Sequence, residues 1–223
     1  MTTSYGHFCL AARTLDTVGD RWSLLIVRDL LEGPRRFGDL RRLLTTVTAK
    51  WLTIRLRRLE SAGIVERNHE RGRREVWYEL TDKGRDLAPV LDALIAWGLR
   101  YERHPLGPDE AAHAEHLVSG LVVALNQFAP KPPRRSLWRF EFDEPTRVFD
   151  LLFDGERWAL DETDRAPDVL VSTTARAWAD LVTQAPGKRR LPSGEIRLTG
   201  PPERVAELID VFRGPRAAVA AAP

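Results

Sequence analysis

The segment TAKWLTIRLRRLESAG, from Thr48 to Gly63, constrains the fold more than any other stretch of the chain. Leu52, Leu56 and Leu59 fall within about 60° of one another at 100° per residue, so a helix here has one narrow apolar stripe. The rest of its circumference carries Lys50, Arg55, Arg57 and Arg58, with no acid before Glu60. Thr46 or Thr48 can cap its start through a hydroxyl, and Gly63 stands where a C-terminal cap belongs. Such a helix must be docked on one side and solvated and cationic on the other.

Its neighbours in sequence are apolar helices. Residues 8–18 carry Leu10, Leu15 and Val18 at helical spacing. After Asp20, WSLLIVRDLLEG is apolar over much of its circumference and reads as a buried helix ended by Gly33-Pro34. Arg35-Arg36-Phe37 is a short extended link, and 38–44 a brief helix with Leu40, Leu43 and Leu44 inward. Beyond Gly63, Ile64-Val65 and Val76–Leu80 read as two strands around a polar tip, His69-Glu70-Arg71-Gly72-Arg73-Arg74. Thr81 then caps a long helix through Leu87, Val90, Leu91, Leu94, Ile95 and Trp97.

Charge singles out the same region. The chain carries 34 basic and 32 acidic residues, a net of +2. Residues 1–104 hold 19 basic and 14 acidic residues (+5), and the remainder 15 and 18 (−3). Within 35–74 the count is 12 against 4, a local +8. A neutral average hiding one basic segment fits a polyanion-binding module joined to something else.

Helix, helix, leucine-docked basic helix and basic-tipped hairpin, in that order, make a winged helix-turn-helix. A helix of this kind fits the major groove, where side chains reach base edges while arginines neutralise phosphates. The expected DNA-contacting residues are Arg36, Thr48, Lys50, Trp51, Thr53, Ile54, Arg55, Arg57 and Arg58, with His69, Arg71, Arg73 and Arg74 at the hairpin tip. Ile54 can pack on a thymine methyl.

The order GDRWSLLIVRDLLEGPRRFGDLRRLL, LTIRLRRLESAGIVER and YELTDKGRDLAPVLDALIAWG resembles the HxlR-type branch of the MarR-like bacterial regulators, over about Cys9 to Trp97. The resemblance implies a homodimer built largely from 8–18 and 81–103, and a palindromic double-stranded operator with half-sites about one helical turn apart. Trp51 departs from the pattern near the start of its helix; it either alters base preference or packs against the domain. Cys9 matches the cysteine that opens the family pattern, although Leu10 follows it where proline is common. In some relatives that cysteine senses oxidants or electrophiles, which requires a thiolate favoured by positive charge or a helix N-terminus. The other reading of Cys9 is a small buried core residue.

His104-Pro105-Leu106-Gly107-Pro108 breaks the chain. The expected domains are a winged helix-turn-helix over 1–104, a linker and leading helix over 105–136, an α+β domain over 137–216 and a frayed tail over 217–223. The leading helix is expected from Asp109 to Phe128. LWRFEFD alternates Trp138, Phe140 and Phe142 against Arg139, Glu141 and Asp143, and Asp154-Gly155 between apolar runs reads as a hairpin. VLVST is a strand, Thr174 caps a helix bearing Trp178, EIRLTG is a strand, and Val205, Leu208, Ile209 and Phe212 mark a last helix. The fold class expected is thus α+β, with an antiparallel sheet in the second domain. PDVLVSTTARAWADLVTQ and SGEIRLTGPPERVAELIDVFR resemble, more weakly, the sterol-carrier-protein-like domain. That likeness implies a cavity for an apolar small-molecule effector, with Trp138, Phe140, Phe149, Phe153, Trp158 and Trp178 as candidate lining; the other reading of these aromatics is simple core.

The chain holds no P-loop, GxGxxG, HExxH or GxSxG pattern, so no enzyme and no cofactor is expected. His113 and His116 lack a third ligand close in sequence and are expected to be solvated rather than metal-bound. One cysteine excludes an internal disulfide, no apolar run is long enough to cross a membrane, and the N-terminus lacks a signal-peptide pattern. Together these predict a cytoplasmic transcriptional regulator, most simply a repressor, with thiol sensing or apolar-ligand carriage as the alternatives.

Overall fold

The computed structural model describes residues 4–69, 76–143, 146–184 and 194–213. The chain divides into two compact units, Met1–Ala93 and Leu94–Pro223.

In the first unit the elements run α1 (Leu10–Val18), α2 (Ser23–Leu31), β1 (Arg35–Arg36), α3 (Phe37–Leu43), α4 (Ala49–Ser61), β2 (Val65–His69), β3 (Val76–Leu80) and α5 (Asp82–Arg85). α6 (Ala88–Tyr101) starts in this unit and ends in the second. The core is aliphatic: Ile26, Val27 and Leu30 of α2 meet Leu40, Leu44 and the stripe Leu52, Leu56, Leu59 of α4. The link expected at 35–37 does more than connect. Arg35 pairs with Tyr78 and Arg36 with Trp77, so β1 completes an antiparallel sheet of order β1-β3-β2. α1 begins at Leu10, two residues later than expected.

The single long helix expected after Thr81 is two helices. Pro89 explains the break: its ring would clash with the carbonyl of Arg85 in a continuous helix, and it has no N–H to donate. α5 is instead a short, tightly seated turn. Thr81 Oγ1 accepts from the Gly84 amide at 3.2 Å and donates to the Gly63 carbonyl at 2.7 Å. Lys83 Nζ reaches the Ala62 carbonyl at 2.7 Å. Gly84 is required there, because a Cβ would lie 2.2 Å from the Ile64 carbonyl oxygen.

The second unit contains α7 (Ala114–Phe128), β4 (Ser136–Asp143), β5 (Thr146–Phe153), β6 (Trp158–Asp161), β7 (Val169–Thr173), α8 (Ala175–Thr183), β8 (Ile196–Thr199) and α9 (Pro202–Arg213). α7 starts at Ala114, later than the expected Asp109, because the Gly107 amide donates to Glu110 Oε2 at 2.8 Å and holds a turn where helix was expected. Trp138, Phe140 and Phe142 are buried as the alternation predicts, beneath residues of α7, α8 and α9.

The sheet is mixed, not antiparallel, in the order β6-β5-β4-β7-β8, with β7 parallel to β4. A parallel neighbour normally needs a long crossover. Here β6 is short and stops opposite Asp150, which itself pairs with Arg139 near the start of β4. The chain has little distance to return and crosses the polar face to the open edge of β4. Arg139 donates to the Thr163 carbonyl at 3.1 Å on the way and grips Asp150 with two bonds of 2.7 Å. At the start of β4, buried Arg204 of α9 meets Asp168 at 2.7 Å and donates to the Arg135 carbonyl at 3.1 Å. Asp168 also accepts from the Leu137 amide at 2.8 Å.

Gly84→Ala is expected to cost about 1–3 kcal/mol, read by chemical denaturation. Burial pushes the Asp168 carboxyl up, but the Arg204 and Leu137 hydrogen bonds outweigh it and hold the group below its ordinary value. A depressed carboxylate contributes stability above its unfolded value, which is lost as pH falls through the folded one. Asp168→Asn should therefore lower the Tm at neutral pH and make the loss of Tm on acidification below about pH 4 shallower.

Candidate nucleic-acid interface

Asp20 positions the basic helix. Its Oδ1 accepts from the amides of Trp22 at 3.0 Å and Ser23 at 3.2 Å, satisfying the first donors of α2, and the Ser23 hydroxyl donates to Oδ2. The same carboxylate forms an ion pair with Arg55 Nε of α4 at 3.0 Å. α4 is capped by Thr48, whose hydroxyl accepts from the Trp51 amide at 3.3 Å, and is ended by Gly63 at φ +66°. With the leucine stripe inward, the direction of its outer face is fixed.

The predicted contact residues separate into groups. Lys50, Arg57 and Arg58 are exposed and form no ion pair among the described residues. Trp51 is 49% exposed and Ile54 half-buried. Arg55, expected on the reading surface, is turned inward: its side chain is 14% exposed and committed to Asp20. The Thr53 hydroxyl donates to the Ala49 carbonyl at 2.8 Å, so only its acceptor capacity faces a ligand. Thr48 is exposed but serves as the cap. Arg36 pairs with Trp77 toward the tip end of the hairpin, with its guanidinium 4.5 Å from the Trp77 ring. The His69 backbone pairs with Val76; its side chain, and all of Arg71, Arg73 and Arg74, lie outside the described residues.

Pairing also thins the basic segment. Arg35 is held by Glu32 at 2.9 Å, Arg42 by Asp39 at 3.0 Å and Arg67 by Glu60 at 2.8 Å. Arg41 of α3, absent from the expected set, is exposed and forms no ion pair among the described residues. Its signal in the sequence was only its place beside Arg42.

Cys9 is exposed, which removes its reading as a buried core residue. It occupies the N-cap position of α1 without a cap hydrogen bond, and the nearby backbone N–H groups of Ala12 and then Ala11 hold the thiol below its ordinary range. In the second unit Trp138, Phe140, Phe153, Trp158 and Trp178 are buried in one cluster, with Phe149 packed against it half-buried. Trp138 lies 4.1 Å from Trp158, and Phe140 5.0 Å from Trp178, between ring centroids. The indole N–H groups of Trp158 and Trp178 are buried without an acceptor among the described residues. His113 and His116 are half-buried rather than solvated, because α7 begins between them and sets their rings edge to face at 5.2 Å. Among the described residues no group of three potential ligands could hold a metal ion, and no helix is long and apolar enough to cross a membrane.

Residues 17–105 match the HxlR-like helix-turn-helix family. An HTH-type transcriptional regulator of Methanothermobacter thermautotrophicus is 34% identical over 107 residues, covering 48% of this chain and 82% of that protein. The HTH-type transcriptional regulator sll1512 of Synechocystis is 38% identical over 105 residues, covering 47% of this chain and 71% of that protein. The solved structure of the HTH-type regulator ytcD is 35% identical, covers 44% of this chain and 100% of that one, and superposes with a TM-score of 0.41. On the capped, leucine-docked α4, the β1-β3-β2 sheet and these relatives, the chain belongs to the HxlR-like helix-turn-helix family of transcriptional regulators.

Proposed function

We propose that the protein is a sequence-specific repressor that binds a palindromic operator as a homodimer and carries out no catalysis. The observation that carries this reading is the outer face of α4, where Lys50, Arg57 and Arg58 stand exposed without ion-pair partners among the described residues on a helix that Asp20 and three leucines fix. Cations left unpaired on a rigid helix suit phosphate contact and base-edge readout. Apolar exposure supports self-association: Phe8 and Leu10 at the start of α1 are 93% and 82% exposed, and Leu94, Trp97 and Tyr101 of α6 are exposed as well. A compact dimer over a promoter represses by occlusion, and a regulator of this kind works in the cytoplasm.

The second unit is read as the effector module, of the sterol-carrier-like kind. Its support is the buried aromatic cluster with two indole N–H groups that lack acceptors among the described residues, a composition suited to an apolar molecule bearing acceptor oxygens. A second reading, thiol sensing, is favoured by Cys9, whose exposed sulfur sits at a helix N-terminus that stabilises the thiolate.

A gel shift with DNA from upstream of its own gene, in excess nonspecific competitor, tests the main reading. A discrete, competitor-resistant complex is expected, weakening steeply with salt. Lys50→Ala, Arg57→Ala and Arg58→Ala should each reduce the slope of log affinity against log salt by about one unit for every phosphate left unneutralised. An unchanged slope in all three removes α4 as the contact surface. For the sensing reading, a thiol-alkylating agent should react with Cys9 at neutral pH and lower DNA affinity, while Cys9→Ser binds DNA normally and ignores the agent. Equal affinities before and after alkylation of the native protein refute it.

A further inference from the structure

Trp51 occupies the first turn of α4, and about half of this largest of side chains stands in solvent. It is nevertheless braced. The Arg55 guanidinium, one turn on, lies 5.6 Å from its ring, and Asp20, just ahead of α2, anchors that guanidinium. The ring therefore loses less freedom on meeting a ligand than an unsupported tryptophan would. Ile54, three residues along, is also only partly covered. Trp51 and Ile54 thus form an apolar island bordered by Lys50, Arg57 and Arg58 on a face otherwise suited to phosphates.

An apolar island on a DNA-reading surface has one chemical counterpart in the major groove, the C5-methyl group of thymine. Residues at the N-terminal end of a recognition helix are the ones that meet base edges. We propose that Trp51 is a specificity-determining residue that reads a thymine methyl in each operator half-site. This rests on the reading that α4 enters the major groove. It reassigns Arg55 from phosphate contact to a positioning residue, whose charge is spent on Asp20 and whose plane supports the indole.

The test uses the full-length protein and a duplex that it selects from a random pool. Each thymine is replaced singly by deoxyuridine, which removes the methyl and leaves the pairing edges intact. The native protein should lose about fourfold in affinity at one thymine per half-site, the worth of one buried methyl. Trp51→Ala, which removes the contact from both half-sites of the dimer, should bind the unsubstituted duplex about sixteenfold more weakly and show no further weakening with deoxyuridine at that position. Its salt slope should match the native one, because every phosphate stays neutralised. Trp51→Phe should retain the deoxyuridine effect. Circular dichroism checks the fold, and Trp51→Gln replaces Trp51→Ala if the latter does not fold. The proposal is overturned if the native protein is indifferent to deoxyuridine everywhere, or if Trp51→Ala keeps the full native sensitivity. A native protein that selects no consensus, or binds without salt dependence, overturns the operator reading and this inference with it.

Discussion

The Asp20 carboxylate does two jobs that the rest of the first unit depends on. It accepts the first amides of α2 and forms an ion pair with Arg55 in the middle of α4. The leucine stripe alone leaves a helix free to roll, because three side chains on one line define an axis better than an angle. An ion pair set to one side of that line fixes the roll. Side-chain exposures of 14% and 20% place the pair where solvent screening is reduced. Removing one partner there strands the other, which costs more than the pair itself contributes. The direction in which Lys50, Arg57 and Arg58 point is in this sense set from α2.

The elements with strong periodicity were legible in the sequence. Leu52, Leu56 and Leu59 are buried as their spacing predicts, Thr48 caps α4, and Trp138, Phe140 and Phe142 face the second core. What the sequence hid was decided by neighbours distant along the chain. β1 is two arginines that no local propensity marks as a strand; Trp77 and Tyr78 make them one by pairing. The parallel placement of β7 depends on where β6 stops, and a four-residue strand gives a weak signal of its end. The break between α5 and α6 was legible, since Pro89 is in the sequence, but the continuous apolar pattern from Leu87 to Trp97 outweighed it.

The candidate interface was legible as a charge and blurred as a set of residues. Composition counts every arginine of 35–74 alike. Folding divides them: Arg35, Arg42, Arg55 and Arg67 are matched to Glu32, Asp39, Asp20 and Glu60, whereas Lys50, Arg57 and Arg58 are left facing outward. Two of those acids lie three residues from their arginine, at helical reach. Asp20 lies far back in the chain, so only the fold reveals that Arg55 is structural. Cys9 shows the converse case, in which the nearby helix start was readable from sequence and exposure was not.

The second unit uses its arginines the same way and gives the principle more general force. Arg139 is committed to Asp150 and to the carbonyl of Thr163, and Arg204 to Asp168, Glu207 and the carbonyl of Arg135. In both places one guanidinium joins segments that the hydrophobic pattern alone would leave free to slide: the β6-to-β7 crossing in the first, the start of α9 in the second. A lysine has a single ammonium and cannot grip a carboxylate and a carbonyl from one planar fork. That geometry separates arginines acting as structural ties from arginines acting as surface charge. By that division Arg139 and buried Arg204 act as ties in the second unit, whereas α4 displays the charges it does not need to hold itself in place.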